Sequence, residues 1–279
     1  MPGTLFVVAT PIGNLEDLTF RASRVLRDAD VVAAEDTRRT AKLLTHYGIR
    51  KPLVSLREHN ERRESERLIA RLQAGESVAL VSDAGTPAIA DPGARLVGLA
   101  RAAGLPVVPI PGPSAVVTAL SVSGLLADEF AFMGFPPASG PKRTEWFQRL
   151  ARETRPVVFF EAPHRIRKTA ESLRGVEFSK RPILVHRELT KIFEELVEQH
   201  NNAGGKALPE KGEYVIVVGP GGEAEMSPET EAKALRIMDS LVGHGDFEYQ
   251  EALELAARSV GATGSLVKRA DKKRRYSGK

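Results

Sequence analysis

The sequence predicts an α/β protein: a mostly parallel five-stranded sheet, a mixed α/β second domain, and a helical, basic C-terminal extension. Three observations carry this. Over the first 110 residues, short apolar runs alternate with helical patterns and Gly- or Pro-rich breaks, as parallel βαβ units require. Beyond residue 130 the strand-like runs lie closer together late in the segment and the pattern becomes mixed. From Ser227 onward apolar residues recur at helical spacing and basic residues crowd the end.

The first strand is Leu5-Phe6-Val7-Val8-Ala9, broken by Thr10-Pro11-Ile12-Gly13-Asn14. Asp17 or Thr19 then caps a helix with Leu18, Ala22, Val25 and Leu26 on one face. The second strand, Val31-Val32-Ala33-Ala34, runs straight into Glu35-Asp36-Thr37-Arg38-Arg39-Thr40, which opens a helix stopping at Gly48. Those polar residues have two readings: Asp36 or Thr37 caps the helix, or an acid pair followed by paired arginines lines a site. Strand three, Leu53-Val54-Ser55-Leu56, ends in Arg57-Glu58-His59-Asn60, with Asn60 as N-cap of a helix over 61–74.

Strand four covers 78–81 and strand five 107–110, with a helix over 94–103 between them. Strand four leads into Ser82-Asp83-Ala84-Gly85-Thr86-Pro87-Ala88-Ile89-Ala90-Asp91-Pro92-Gly93. Open parallel sheets bind ligands beyond the carboxyl ends of their strands, so this loop is the first place to seek a site. It carries neither a G-x-G-x-x-G nor a G-x-x-x-x-G-K-[ST] pattern. Its two prolines remove donors, and Asp83 and Asp91 would repel a phosphate. The loop suits a cationic ligand, or one offering hydroxyl and amine donors. S-adenosylmethionine, with a sulfonium, an α-amino group and no phosphate, meets that description. The competing reading is a tight strand-to-helix turn with Asp91 near the helix N-terminus. Pro111-Gly112-Pro113-Ser114-Ala115 then opens an apolar helix at the same sheet end, with Ser114 as its N-cap.

A Pro/Gly cluster, Gly134-Phe135-Pro136-Pro137-Ala138-Ser139-Gly140, follows a short strand over 130–133 and marks a boundary near residue 130. Helices are expected over 142–151 and 166–173, and strands over 156–160, 183–186, 193–197 and 214–218. Gly204-Gly205-Lys206 falls in a loop. The organisation is therefore three parts: 1–130, an α/β domain with Gly/Pro-rich loops; 131–222, a second α/β domain; and 223–279, the helical extension. In that extension Ala234, Ile237, Met238 and Leu241 form one helical face, which reads as core packing.

Composition excludes several classes. With no cysteine, there are no disulfides, thiolate metal sites or thiol catalysis. No apolar run approaches the roughly 20 residues of a membrane helix, and no signal-peptide pattern opens the chain, so a cytoplasmic protein with no membrane partner is expected. No histidine pair has metal-ligand spacing, and no metal is expected. The net charge of +4 is uneven: from Val267 onward seven basic residues face one acid, leaving the rest of the chain at −2. Such an end reads as a polyanion-binding arm or as a solvated terminus.

Taken jointly, six loops are specific. They are Thr10-Pro11-Ile12-Gly13-Asn14-Leu15; Glu35-Asp36-Thr37-Arg38; Ser82 to Pro87 with Asp91-Pro92-Gly93; Pro111 to Ala115; Phe160-Glu161-Ala162-Pro163-His164-Arg165; and Gly212-Glu213-Tyr214. In this order, from Thr4 to Gly219, the chain resembles the tetrapyrrole-methylase (class III) superfamily of S-adenosylmethionine-dependent methyltransferases. The Glu-Asp-Thr-Arg and Glu-Ala-Pro-His-Arg stretches are similar to those of its RNA-modifying branch. The resemblance implies two α/β domains with S-adenosyl-L-methionine folded between them, and a homodimer. It implies 2′-O-methylation of a cytidine ribose in the decoding region of 16S ribosomal RNA, as free RNA or within the small ribosomal subunit. Carried over by position, Pro11 lies near the cofactor in the first-strand loop; Asp83, Ala84, Gly85, Thr86 and the segment to Ile89 hold its methionine and ribose parts; Ser82 and, from the next loop, Ser114 and Ala115 also bind it; and Phe160, Glu161, Leu189, Tyr214 and Val215 enclose the adenine.

A ribose hydroxyl is a poor nucleophile, so a nearby base or cation is expected. The catalytic candidates at the sheet's carboxyl edge are Asp36, Arg38, Glu58 and His59, with Asp36 or Glu58 as proton acceptor and Arg38 and Arg165 holding phosphate or developing charge. RNA contacts are expected from Arg39, His164, Arg165, Lys268, Arg269, Lys272, Lys273, Arg274 and Arg275. The competing functions are a tetrapyrrole C-methyltransferase on the same scaffold and a nucleotide- or RNA-binding module without catalysis.

Overall fold

The computed structural model describes the chain except for residues 1, 176–177, 180, 200–207, 222–227, 244–246, 261–266, 269, 273 and 275–279. The loop expected at Gly204-Gly205-Lys206 lies outside the described residues. The chain forms two compact units, Met1–Pro220 and Gly221–Lys279.

The first unit contains two five-stranded sheets. The first has the order β3-β2-β4-β1-β5 and is parallel throughout, from β1 (Leu5–Val8), β2 (Val31–Ala34), β3 (Leu53–Ser55), β4 (Val78–Val81) and β5 (Val107–Ile110). Its apolar runs are continuous because helices cover both faces. Alternate residues go to opposite sides. Leu5, Val31, Ala33, Val78 and Leu80 pack with Leu68 and Leu72 of α3 (Glu61–Gln73) and Leu96 and Ala100 of α4 (Ala94–Ala102). Val8, Val32, Ala34, Ala79 and Val81 pack with Ala22, Val25 and Leu26 of α1 (Phe20–Asp28) and Leu44 of α2 (Thr37–His46). The chain leaves β1 towards β2 and leaves β4 towards β5, in opposite directions along the sheet. The crevice between the carboxyl ends of β1 and β4 is thus a topological switch point.

One open alternative is resolved and two local expectations change. Thr19, rather than Asp17, caps α1, its Oγ1 accepting from the Ala22 N–H at 3.1 Å. Asn60 does not cap α3 through its side chain; its Oδ1 accepts from the Arg57 N–H at 2.7 Å and its Nδ2 donates to the Ser55 carbonyl at 3.0 Å, which folds the β3 exit into a tight turn. Ser114 occupies the N-cap position of α5 (Ala115–Ser121) but makes no capping hydrogen bond.

The second sheet, β6-β7-β10-β8-β9, is mixed: β6 (Ala131–Phe132) is parallel to β7 (Val157–Glu161), and β10 (Tyr214–Val218), β8 (Ile183–Arg187) and β9 (Glu195–Gln199) pair antiparallel. One face packs on α6 (Pro141–Arg152) and α7 (Ile166–Ser172) through Trp146, Leu150 and Ile166. The other receives Val116, Ala119 and Leu120 of α5, together with Ile12. β9 starts two residues later than its apolar pattern predicts. The Glu188 and Lys191 carbonyls accept from the Lys191 and Glu194 N–H groups, forming turns that keep Phe193 outside the ladder.

The second unit packs α8 (Pro228–Gly243) on α9 (Tyr249–Ser259), with Ala234, Met238, Leu253, Ala256 and Val267 in its core. Its basic end is not a free arm where it is described. Positions 267, 268, 270–272 and 274 are helical, and Arg274 pairs with Asp239 at 2.6 Å and with buried Asp271 at 2.7 Å. Tyr249 donates to the same Asp271 at 2.9 Å.

His186, on β8, is buried, and its Nε2 has no hydrogen-bond partner among the described residues. Burial lowers its pKa from the ordinary 6.5, against the opposing pull of Glu194. The folded chain therefore holds it neutral, while the unfolded chain binds the proton more readily. The stability it contributes is present above about pH 6.5 and is lost as pH falls towards its lowered folded value. Urea unfolding at pH 7.5 and 5.5 should show that loss in the wild type, and His186→Phe should flatten it.

Candidate functional site

The exits of β1 and β4 are tied together at the switch point. The Thr10 N–H donates to the Gly85 carbonyl at 2.9 Å, the Gly85 N–H returns to the Thr10 carbonyl at 3.0 Å, and the Thr10 hydroxyl reaches the Ser82 carbonyl at 3.3 Å. Gly85 has φ +78°, a left-handed geometry that glycine adopts without strain. The Thr86 hydroxyl donates to the Pro113 carbonyl at 3.3 Å, which joins the loop after β5 to the same corner. The turn into α4 is closed from outside: Gly93 offers no side chain, and Glu61 of α3 accepts from the Gly93 N–H at 2.8 Å and the Arg95 N–H at 3.3 Å. A carboxylate there complements the helix dipole.

These loops and the second sheet enclose a cavity of about 410 Å³, within the range of small-molecule sites. Its walls differ in chemistry. The second sheet and its connections contribute Phe135, Phe160, Ala162, Pro163, Leu189, Tyr214 and Val215, a largely apolar surface suited to a flat ring, together with Glu213 and the hydrogen-bonded Glu161. The connections of the first sheet contribute Asp83, Asp91 and Arg39, beside Gly85, Thr86 and Ser114. Asp83 is fixed: its Oδ1 accepts from the Asp36 N–H at 2.9 Å and its Oδ2 faces Arg39 at 3.4 Å. Burial raises the pKa of Asp91, with the Ser82 hydroxyl lowering it and Asp83 raising it further. Burial likewise raises Glu35, helped by Asp83 and Asp91. The charged end is therefore rich in carboxylate and hostile to phosphate, but favourable to a cation or an amine.

Of the cofactor-binding residues expected from sequence, Asp83, Ala84, Gly85, Thr86, Ile89, Ser114, Ala115, Phe160, Glu161, Leu189, Tyr214 and Val215 line this cavity. Pro11 and Ser82 do not; both are buried beneath it, with the Ser82 hydroxyl donating to the Ala84 and Gly85 carbonyls at 3.2 and 3.3 Å. Glu161 contributes wall rather than free charge, because its carboxylate is held by Arg143, Arg165 and Thr169.

The four catalytic candidates are not brought there. Asp36 caps α2, accepting from the Arg38 N–H at 2.9 Å, and its other oxygen pairs with the Arg38 guanidinium at 3.0 Å. Arg38 thereby holds the Asp36 carboxyl far below the usual carboxylate range, which makes it a poor proton acceptor. Glu58 and His59 are exposed in the β3–α3 turn, and His59 borders a smaller hollow with Arg62 and Arg63.

Among the expected RNA contacts, Arg39 lines the cavity itself. His164, Lys268 and Lys272 are exposed, but the Arg165 side chain is only 18% exposed and pairs with Glu161 at 2.8 Å. Arg274 is committed to Asp239 and Asp271. Arg269, Lys273 and Arg275 lie outside the described residues. Asp91, named from sequence as the loop's second carboxylate but assigned no role of its own, also lines the cavity, and Phe135, an aromatic inside a Pro/Gly cluster read only as a boundary, was missed. Ile12, Val116, Ala162, Pro163 and Glu213 adjoin residues that were found.

Residues 4–201 match the family model described as tetrapyrrole (corrin/porphyrin) methylases. A ribosomal RNA small subunit methyltransferase I from Pseudomonas aeruginosa is 45% identical over 95% of this chain and 95% of its own. One from Xylella fastidiosa (strain Temecula1) is 47% identical over 94% of this chain and 96% of its own. Among solved structures, a uroporphyrin-III C-methyltransferase from Thermus thermophilus, complexed with S-adenosylhomocysteine, aligns at TM-score 0.55 and 20% identity over 78% of this chain and 97% of that one. The last likeness is one of fold.

Gly93 sets the exit of the acidic loop. Its φ is +121°, and a Cβ there would stand 2.7 Å from Cδ2 of buried Leu80. Gly93→Ala should cost about 2 kcal/mol or more through strain and overlap, read as a lowered urea midpoint.

Proposed function

The chain belongs to the tetrapyrrole (corrin/porphyrin) methylase family, alongside relatives named ribosomal RNA small subunit methyltransferase I, and on that footing we propose that it methylates ribosomal RNA of the small subunit with S-adenosylmethionine. The observation that carries this reading is one cavity that brings the apolar residues Phe135, Phe160, Leu189, Tyr214 and Val215 together with the loop carboxylates Asp83 and Asp91. The residues present fit the cofactor. Phe160, Leu189, Tyr214 and Val215 would hold the adenine, and Asp83 with the Gly85–Thr86 segment would hold the amine-bearing methionine end. When bound, S-adenosylmethionine supplies an electrophilic methyl group; the protein supplies orientation, dryness and a place for the acceptor's proton.

The finer proposal is that the acceptor is a ribose 2′-hydroxyl of a cytidine in the decoding region of 16S ribosomal RNA. The two stretches similar to the RNA-modifying branch support it, and so do the exposed arginines Arg38, Arg62 and Arg63 at the sheet's carboxyl edge. Arg39, at the cavity's rim, would face a backbone phosphate. The proton-accepting role passes from Asp36 to Asp91, the carboxylate that lines the cavity and whose raised pKa suits a base better. Such an acceptor implies a cytoplasmic reaction. No described helix is long and apolar enough to cross a membrane. Exposed Val117, Val122, Ile192, Phe193 and Leu196 support a homodimer.

Tritiated methyl transfer from S-adenosylmethionine into small ribosomal subunits from an unmethylated strain, with the product mapped by nuclease digestion, tests this directly. Label in 2′-O-methylcytidine is expected. Its absence from ribosomal RNA would reject the acceptor. In the same assay Asp91→Asn should lower the single-turnover rate by about a hundredfold, whereas Asp36→Asn, which keeps the cap acceptor, should stay close to wild type.

A further inference from the structure

The segment after β6 forms part of the cavity wall through Phe135, which is 50% exposed. Its ring lies 5.4 Å from that of Phe160, which also meets Phe132 edge-on at 5.0 Å. Gly134 turns the chain with φ +61°, and Pro136 and Pro137 bring no N–H donors. Pairing with β7 therefore ends at Gly134, and the residues beyond it are held through their carbonyls instead. The Gly134 carbonyl accepts from the Phe160 N–H at 2.9 Å. The Pro136 carbonyl accepts from Arg165 Nη1 at 3.1 Å, and the Pro137 carbonyl from Arg143 Nη1 at 2.9 Å.

Both guanidinium groups converge on one carboxylate, that of Glu161. Arg165 Nη2 approaches Oε1 at 2.8 Å, and Arg143 approaches Oε2 at 3.5 Å. The Ala162 N–H donates to Oε1 at 2.8 Å, and the Thr169 hydroxyl donates to Oε2. Arg143 Nη2 donates in turn to Thr169 Oγ1 at 2.7 Å. Glu161 is 2% exposed, and Arg143 and Thr169 are buried with it. Arg143 also lies 5.0 Å from the Phe147 ring, which fixes it from α6. Phe160 immediately precedes Glu161 in β7, so a single peptide bond joins the carboxylate hub to the aromatic wall. Arg165, whose buried Nε has no partner among the described residues, spends its Nη donors inward.

We propose that Arg165 and Arg143 are positioning residues: anchored on Glu161, they clamp the 134–137 segment so that Phe135 stands against Phe160 as the wall on which the flat ring of the cofactor packs. This rests on the cofactor reading given above. It gives Arg165 a role inside the protein in place of the RNA contact its motif suggests. Guanidinium groups suit the task because each holds a carboxylate and a carbonyl in one plane.

The test is a double-mutant cycle in S-adenosylhomocysteine binding, measured by calorimetry on the full chain. Wild type, Arg165→Met, Phe135→Ala and the double variant are compared. Each single variant is expected to weaken binding by about tenfold. The double variant should lose no more than Phe135→Ala alone, since Arg165 acts through that ring. Arg165→Lys, which keeps the charge and one donor direction, should recover part of the affinity, and the cycle is run with it should Arg165→Met fail to fold. A wild-type chain that does not bind S-adenosylhomocysteine overturns the cofactor reading itself. Wild-type binding combined with unchanged affinity in the Arg165 variants, or with losses that multiply in the double variant, overturns the clamp alone. So does an Arg165 variant that keeps S-adenosylhomocysteine affinity and loses RNA affinity.

Discussion

The first sheet is buried on both faces, and the rest of the site follows from that constraint. A strand such as Val31–Ala34 has no solvent side, so α1 and α2 must cover one face while α3 and α4 cover the other. Parallel strands then need crossovers, and every crossover leaves from the same carboxyl edge. The polar residues excluded from the strands collect there. Glu35, Asp83, Asp91 and Arg39 converge because the sheet interior has no place for them, and the reversal between β1 and β4 opens the crevice that receives a ligand.

Charge at that edge is sorted by local partners. Asp36 and Glu35 are neighbours in sequence and opposite in behaviour. Asp36 caps α2 and pairs with Arg38, which stabilises its anion. Glu35 is partly desolvated among Asp83 and Asp91, which destabilises its anion. Asp83 is pinned by the Asp36 N–H, so the cap of α2 also orients a cavity carboxylate. One short stretch thus carries both a structural acid and a strained one, and their roles separate only when the cap geometry is known.

The second sheet meets the first through α5, whose apolar residues pack on Val158, Leu184, Val215 and Val217. This brings Phe160, Leu189 and Tyr214 opposite the acidic loop and gives the cavity its two chemistries. The Glu161 hub performs for the apolar wall what Glu61 performs for α4: a carboxylate from one element completes a backbone segment that cannot complete itself.

Much of this was legible in the sequence. Continuous apolar runs and Gly- or Pro-rich breaks determine the parallel sheet, and the loops that follow strands one, four and five determine where a ligand sits. Twelve of the residues that the family resemblance implied line the cavity; chain order by itself points to those in the loops after β4 and β5, whereas Phe160, Glu161, Tyr214 and Val215 sit within strands of the second sheet and follow from the resemblance. Partner choice was decided only by the tertiary structure. Arg165 reads as a contact for RNA or phosphate and is half-buried against Glu161; Arg274 reads as tail and is paired with Asp239; Asp36 reads as either a cap or a base, and its pairing with Arg38 favours the cap. A charged side chain's role depends on which opposite charge or carbonyl lies within about 3 Å, and those partners here come from positions 2 to 35 residues away. Periodicity fixes which residues leave the core, whereas the distances between elements decide what they meet.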